Sequence, residues 1–160
     1  MDTASAPGRG TIVLTHRSRA SDMDQPLPER ASKERSGGGS ETILLVEDEA
    51  GVRRSVERTL RAYGYTVVTA EDGVAALEWC RARPGEMDLV LSDLVMPRMG
   101  GYQLYQSLRE EFGPVRFVLM SGYGDRRMEN GEPLDPEIPL LEKPWELSEL
   151  LITVRRVLDG

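Results

Sequence analysis

The chain has 160 residues, which suits one domain and is too short for two domains of ordinary size. No stretch approaches the roughly 20 apolar residues of a membrane span, and no signal peptide is visible, so we expect a cytoplasmic protein with no membrane partner. The net charge of −7 argues against a nucleic-acid-binding face, which needs clustered Lys and Arg.

Residues 1–40 differ in composition from the rest of the chain. They are rich in Ser, Gly, Pro and Arg, and residues 36–40 have the composition of a flexible linker. We interpret the segment as a mostly disordered tail, because it cannot bury enough apolar surface to offset chain entropy. The only histidine, His16, is interpreted as a solvated tail residue.

A short part of this tail has a second interpretation. Residues 8–14, with the pattern GxGT, resemble the last glycine box and final strand of histidine-kinase ATP-binding domains. The tail would then be the remnant of the end of such a domain. The other ATP-binding motifs of that family are absent, so histidine kinase activity is not expected of this chain alone.

From residue 41 onward, short apolar runs alternate with helical patterns. The predicted strands cover residues 43–46, 65–69, 88–93, 115–120 and 138–141. The predicted helices cover residues 50–63, 73–82, 102–111 and 145–158, with Asp72 as the N-cap of the second. Residues 125–130 are assigned at most a short helix, because a glycine and three prolines follow closely.

This alternation predicts the class of fold. Residues 41–160 are expected to form one α/β domain with a five-stranded parallel sheet, helices on both faces, and a crevice at the carboxyl ends of the strands. Pro139 lacks an N–H group, which places the last strand at an edge. Cys80 lies on the core face of its helix, and we interpret it as a core residue rather than a reactive thiol.

Polar residues lie at or just after the ends of four of the predicted strands. These are Glu47 and Asp48 after the first strand, Asp93 as the last residue of the third, Ser121 after the fourth and Lys143 after the fifth. Parallel strands end at one edge, so three carboxylates would repel one another there and a divalent cation would relieve the repulsion. Oxygen ligands with room for water suit Mg²⁺, while a lysine and a serine hydroxyl suit phosphoryl oxygens. Taken singly, Asp93 is equally a turn cap, Ser121 a turn residue and Lys143 a surface lysine.

Together these motifs resemble the receiver domain of two-component response regulators, over residues 41–158. The resemblance lies in Val-Glu-Asp-Glu at residues 46–49, Asp-Leu-Val-Met-Pro-Arg-Met-Gly-Gly at 93–101, Ser-Gly at 121–122 and Lys-Pro at 143–144. The residues around Ser121 and the prolines before Lys143 look most like the C-terminal receiver of hybrid sensor histidine kinases. The resemblance implies a flavodoxin-like, doubly wound sheet in the order 2-1-3-4-5, with the fourth helix short or irregular.

The resemblance also implies roles for individual residues. Asp93 would take a phosphoryl group from a phosphohistidine and then switch partner binding. Lys143 would bind the acyl phosphate and Ser121 would move toward it. The Mg²⁺ ligands would be Glu47, Asp48, Asp93 and the backbone carbonyl of Val95. A cis peptide bond is expected before Pro144. The partner would be a sensor histidine kinase or a histidine phosphotransfer protein, docking near the helix that begins at Ala50 and the loop after Lys143. The chain would be a monomer or weak dimer.

Two departures from the family pattern bear on regulation. Leu140 stands where these domains commonly carry an aromatic residue whose rotation reports phosphorylation. We therefore expect phosphorylation to order residues 122–139 instead of rotating a ring. Val95 and Tyr123 flank the approach to Asp93, and neither suits the orientation of a hydrolytic water. A comparatively long-lived aspartyl phosphate is expected.

Three functions other than a phosphoacceptor receiver domain are possible alternatives. A haloacid-dehalogenase-type phosphatase also uses a strand-terminal aspartate and Mg²⁺, but it needs a second Asp where Val95 stands. A receiver-like binding module that never carries phosphate would not need the intact set of Asp48, Asp93, Ser121 and Lys143. A DNA-binding regulator is not expected, because no residues follow Gly160 and the tail is not a basic arm.

Overall fold

The computed structural model of the protein describes residues 38–122, 126–128 and 130–160. The predictions for the tail, including His16 and residues 8–14, lie outside the described residues, apart from residues 38–40. The prediction for Tyr123 lies outside them as well.

Strands and helices alternate along the described chain much as the sequence predicts. The strands are β1 (Thr42–Val46), β2 (Thr66–Ala70), β3 (Leu89–Asp93), β4 (Phe117–Ser121) and β5 (Leu140–Glu142). The helices are α1 (Ala50–Ala62), α2 (Gly73–Ala82), α3 (Gly101–Phe112) and α4 (Leu147–Asp159). Every boundary lies within two residues of its predicted position, and Asp72 caps α2 as predicted.

The five strands form one parallel sheet in the order β2-β1-β3-β4-β5, which confirms the predicted fold class and strand order. β5 lies at an edge, as Pro139 indicated. The direction of winding reverses between β1 and β3, and in such sheets the crevice outside these two strand ends is where ligands bind. The fold therefore brings the residues after β1 next to the end of β3.

Helices cover both faces of the sheet because the central strands are apolar on both sides. In β1, Ile43 and Leu45 contact the core beneath α1 and α4, whereas Leu44 and Val46 contact the core beneath α2 and α3. Cys80 belongs to the second core, and burial raises the pKa of its thiol to about 11, as suits a core residue. Among the described helices, none is long and apolar enough to cross a bilayer.

The described residues between β4 and β5 form neither a helix nor a strand of the sheet. Residues 126–128 and 130, which belong to the range assigned a short helix, are not helical, and Arg127 instead pairs with Pro133 in an antiparallel bridge. Proline at 133, 136 and 139 removes the N–H donors that a helix would need, and Gly131 adopts a φ of 84°. The segment is nevertheless anchored, because Leu134 and Ile138 are 5% and 3% exposed in the core beneath α2 and α3.

Candidate functional site

The carboxyl edge of the sheet collects the polar residues that the sequence places after its strands. Glu47 directly follows β1 and is only 1% exposed, while the adjacent Asp48 is exposed. Asp93 is the last residue of β3, opposite Met120 of β4, and Ser121 is the last residue of β4. Lys143 follows β5, and its amide donates to the Ser121 carbonyl at 2.7 Å. Parallel pairing therefore sets these residues side by side.

Four of the predicted side chains meet. The carboxylates of Glu47, Asp48 and Asp93 each place an oxygen within 4.8 Å of the others. The Lys143 Nζ lies 2.8 Å from Glu47 Oε2 and 3.4 Å from Asp93 Oδ2. One lysine thus neutralises part of a cluster that carries three carboxylates.

Backbone donors fix the orientation of two of the carboxylates. The Leu94 amide donates to Asp93 Oδ1 at 3.0 Å, which leaves Oδ2 as the oxygen nearer to Lys143. The Glu49 amide donates to Glu47 Oε1 at 3.1 Å. The Asp93 carboxylate therefore lies at the crevice in an orientation that a backbone hydrogen bond fixes.

Arg53 is a contributor that the sequence analysis missed. Its Nη1 donates to the Glu47 carbonyl at 2.6 Å and so ties the first turns of α1 to the end of β1. Helical spacing assigns Arg53 to the polar side of α1, and spacing alone does not reveal this contact. The usable signal is that α1 begins only three residues after Glu47, so its first side chains must lie beside the strand end.

The electrostatics of Asp93 reflect its surroundings. Burial, together with the negative charge of Glu47, raises the pKa of Asp93 to about 6, although Lys143 and the Leu94 amide act in the opposite direction. Burial by itself would lower the pKa of Lys143, but its contacts with Glu47 and Asp93 outweigh burial and raise that pKa. Protein groups alone therefore do not fully neutralise the negative charge of the ionised Asp93 carboxylate.

The residues of the cluster fit a divalent cation. They offer oxygen donors only, on three carboxylates with a single nearby lysine, and one of the three is exposed to solvent. Such a donor set, with access for water, is typical of Mg²⁺ sites, whereas protein zinc sites usually include nitrogen or sulfur ligands.

Ser121, Val95 and Pro144 lie at or just after the strand ends that form this cluster, whereas Leu140 does not. Ser121 is 4% exposed at the end of β4, and the Val95 side chain is 49% exposed in the loop after β3. The Lys143–Pro144 peptide bond is cis, in agreement with the sequence prediction. Leu140 begins β5 and packs partly buried against the core beneath α2 and α3, so it is not in the cluster.

Gly101 lets α3 begin directly against the end of β3. A Cβ at this position would collide with the Asp93 carbonyl oxygen and lie 2.8 Å from Leu119 Cδ2. The Gly101 amide donates to the Leu94 carbonyl at 3.0 Å, which closes the loop of residues 94–100. The missing side chain is therefore what allows the loop after Asp93 to be so compact.

Comparison with known families gives one match that covers most of the described chain. Residues 43–155 match the family described as response regulator receiver domain.

Curated relatives agree with this match. The chain is 38% identical over 162 residues to the sensor kinase CckA of Brucella abortus (strain 2308), covering 97% of this chain and 17% of that protein. It is 36% identical over 118 residues to the response regulator MprA of Mycobacterium leprae (strain TN), covering 72% of this chain and 50% of that protein. The chain therefore spans at most half the length of these two relatives.

Solved structures give the same result. The receiver domain of the hybrid histidine kinase CckA is 34% identical, with a TM-score of 0.62, and the match covers 73% of this chain and 98% of that one. The receiver domain of sensor histidine kinase PA1611 from Pseudomonas aeruginosa PAO1 is 28% identical, with a TM-score of 0.64, covering 76% and 100%. In that structure a magnesium ion is coordinated in the active site cleft.

Proposed function

Because the chain belongs to the response regulator receiver domain family, we propose that Asp93 is its phosphoacceptor. The domain is homologous to the receivers of two-component response regulators and hybrid kinases. The observation that carries the assignment to Asp93 is its setting. Its carboxylate is held by the Leu94 amide and faces Lys143 at 3.4 Å. Glu47 also contacts a backbone amide and Lys143, but its side chain is 1% exposed against 13% for Asp93, so Asp93 is the more accessible of the two.

Each charged group has a part in the proposed transfer. Asp93 Oδ2 attacks the phosphorus of a phosphohistidine, the P–N bond breaks, and the product is an aspartyl phosphate. Lys143, already 3.4 Å from that oxygen, compensates the charge of the phosphoryl oxygens. Ser121 stands at the adjacent strand end and would donate its hydroxyl to the new phosphate.

A magnesium ion would be held by Glu47, Asp48, Asp93 and the Val95 carbonyl. When bound, it would neutralise the carboxylates and orient phosphoryl oxygens. Glu47 is one methylene longer than aspartate, and its Oε2 contacts Lys143, so we expect Glu47 to act through a bound water. The ion coordinated in the related cleft of PA1611 supports this assignment.

Charge on α1 supports a docking surface for the phosphodonor. Arg54 and Arg58 are exposed and lie four residues apart, and neither forms an ion pair with another described residue. Like charges at this spacing destabilise a helix by a few tenths of a kcal/mol, and cations near a helix N-terminus are also unfavourable. We propose that the face of α1 bearing Arg54 and Arg58 meets an acidic surface of a histidine kinase or phosphotransfer protein.

The wider context is part of the same proposal. The match to sensor kinase CckA covers 97% of this chain and so extends well into residues 1–40. This supports residues 1–40 as a linker that contains the remnant of the end of a kinase ATP-binding domain, and residues 41–160 as the receiver domain. The role is signalling rather than enzymatic, in the cytoplasm, with the chain assisting only its own phosphorylation and dephosphorylation.

Labelled phosphotransfer tests the assignment. A histidine kinase autophosphorylated with labelled ATP is mixed with the parent, Asp93→Asn or Asp88→Asn in the presence of Mg²⁺. Asp88 is a matched control, because it precedes the opposite end of the same strand and makes its contact with the Thr42 amide. The parent and Asp88→Asn should take up label, and Asp93→Asn should take up none. Equal labelling of Asp93→Asn would refute the assignment.

A further inference from the structure

The loop after the phosphoacceptor contains a strained turn. Arg98 has a φ of 66°, and among the described residues it is the only one other than glycine with a positive φ. The Met99 amide donates to the Pro97 carbonyl at 2.8 Å, so Arg98 is the central residue of a γ-turn. A side chain held in this conformation costs on the order of 1–3 kcal/mol, which persists only where the surroundings determine it.

A buried carboxylate holds the side chain of Arg98. Asp72, the N-cap of α2, is 3% exposed, and its Oδ2 accepts from Arg98 Nε at 2.6 Å. Its other oxygen, Oδ1, accepts from the Ala75 amide at 2.9 Å. Asp72 therefore contacts the helix with one oxygen and the loop with the other.

A second tie fixes the backbone of the same turn. The Gly73 amide donates to the Met99 carbonyl at 3.0 Å, and a Cβ on Gly73 would lie 2.7 Å from that oxygen. Burial alone would raise the pKa of Asp72, but the Ala75 amide and Arg98 outweigh burial and lower it. The carboxylate is thus ionised and paired under ordinary conditions.

The start of the loop is fixed as firmly as its turn. The Leu94 amide donates to the Met120 carbonyl at 2.8 Å, and the Leu94 carbonyl accepts from Gly101 at 3.0 Å. Val95 lies one residue after Leu94 and three residues before Arg98, so both anchors restrict the path of its backbone. Movement of the turn would move the Val95 carbonyl.

We propose that Asp72, Gly73 and Arg98 form a clamp that positions the Val95 carbonyl for Mg²⁺ and so tunes the ion's affinity. The clamp rests on the proposed function, because it presumes that Mg²⁺ binds at Asp93 and Val95. Asp72 and Arg98 are positioning residues, since neither is among the proposed ligands. Outer residues that orient metal ligands commonly change metal affinity by about tenfold or more when they are replaced.

Three substitutions distinguish the effect of the Asp72–Arg98 ion pair from the effect of the strained backbone at residue 98. Asp72→Ser keeps an N-cap but removes the charge that holds Arg98. Arg98→Ala removes the pair and keeps a side chain at positive φ. Arg98→Gly also removes the pair, but glycine adopts positive φ without the steric cost. Arg81→Ala is the matched control, because it breaks an exposed ion pair of α2 with Glu111, away from the loop.

Calorimetric titration with Mg²⁺ alone, together with urea unfolding of each variant, tests the clamp. We expect the dissociation constant to rise about tenfold in Asp72→Ser and Arg98→Ala, to recover largely in Arg98→Gly, and to stay unchanged in Arg81→Ala. Unchanged affinity in folded Asp72→Ser and Arg98→Ala would overturn the clamp. Affinity in Arg98→Gly as weak as in Arg98→Ala would overturn the strain argument on which it depends.

Mg²⁺ binding by the parent protein distinguishes a failure of the clamp from a failure of the proposed function. A parent protein that binds no Mg²⁺ would refute the proposed function itself. A parent that binds Mg²⁺ as tightly as every clamp variant would refute the clamp and leave Asp93 as the phosphoacceptor. If Asp72→Ser does not fold, the difference in Mg²⁺ affinity between Arg98→Ala and Arg98→Gly tests the clamp by itself.

Discussion

Asp93 combines burial with negative neighbours, and this has a consequence for stability. Its pKa in the folded protein is about 6, above the ordinary value of 3.8. The folded protein therefore binds a proton more tightly than the unfolded chain does, and stability falls as the pH rises from about 4 to about 6. At neutral pH without metal, the ionised Asp93 costs the fold up to about 3 kcal/mol.

Asp93→Asn should consequently stabilise the metal-free protein. At pH 7 in the presence of a chelator, we expect its free energy of unfolding in urea to exceed that of the parent by about 1–3 kcal/mol. The gain should vanish below pH 4, where Asp93 is protonated in both the folded and unfolded states. Asp88→Asn should show no gain at either pH. A gain for Asp93→Asn that is independent of pH would contradict the assigned cause.

At the scale of elements, alanine substitutions at two glycines near helix N-termini are expected to change the stability of the fold in opposite directions. Gly101→Ala should destabilise the fold by about 1–3 kcal/mol, because its Cβ would push α3 away from the Asp93 carbonyl. Gly51→Ala, in the first turn of α1 with no atom within 4 Å of the added Cβ, should stabilise it by up to about 1 kcal/mol. Urea unfolding of both variants measures this, and a loss in Gly51→Ala equal to that in Gly101→Ala would contradict it.

Residues 122–139, between β4 and β5, are the part of the chain that we expect to respond to phosphorylation. It follows directly from Ser121, and its apolar side chains Leu134 and Ile138 are already packed in the core. A Ser121 hydroxyl drawn toward a phosphoryl group would pull on the start of this segment. Amide exchange over residues 126–139 should slow when beryllofluoride, a phosphoryl analogue, is added with Mg²⁺. Equal exchange with and without the analogue would remove this segment from the switch.

The sequence predicts the elements and the meeting of the site residues, because both follow from local patterns. Apolar runs such as Leu89–Val90–Leu91 mark buried strands, and parallel strands bring their ends to one edge. The Arg98–Asp72 contact could not be predicted, because it joins two loops 26 residues apart that no periodicity connects. The Arg127–Pro133 bridge was missed for a related reason, since prolines exclude a helix without specifying what replaces it.

At the scale of the whole molecule, charge is distributed unevenly. The chain carries a net charge of −7, yet α1 contains four arginines and one glutamate. α1 begins directly beside the carboxylate cluster, so a partner that delivers a phosphoryl group to Asp93 would pass close to this helix. Electrostatic attraction of this kind mainly accelerates association and weakens with salt.

Charge reversal on α1 should therefore slow phosphotransfer from a cognate kinase. Arg54→Glu combined with Arg58→Glu should lower the rate constant for transfer at limiting concentration by about tenfold and flatten its dependence on salt. Arg116→Glu is the control, because this exposed arginine lies just before β4, at the opposite edge of the sheet. Labelling by a small phosphodonor should stay unchanged in all three proteins. Equal slowing by Arg116→Glu would assign the effect to net charge instead of docking.

The most direct test of the account is to locate the phosphoryl group chemically. An acyl phosphate is reduced by borohydride to an alcohol, so an aspartyl phosphate becomes homoserine, which mass spectrometry of peptides identifies by position. After incubation with a phosphorylated kinase and Mg²⁺, we expect homoserine at residue 93 and none when Mg²⁺ is chelated. Homoserine at another aspartate, or incorporation at Asp93 that is indifferent to Mg²⁺, would contradict it.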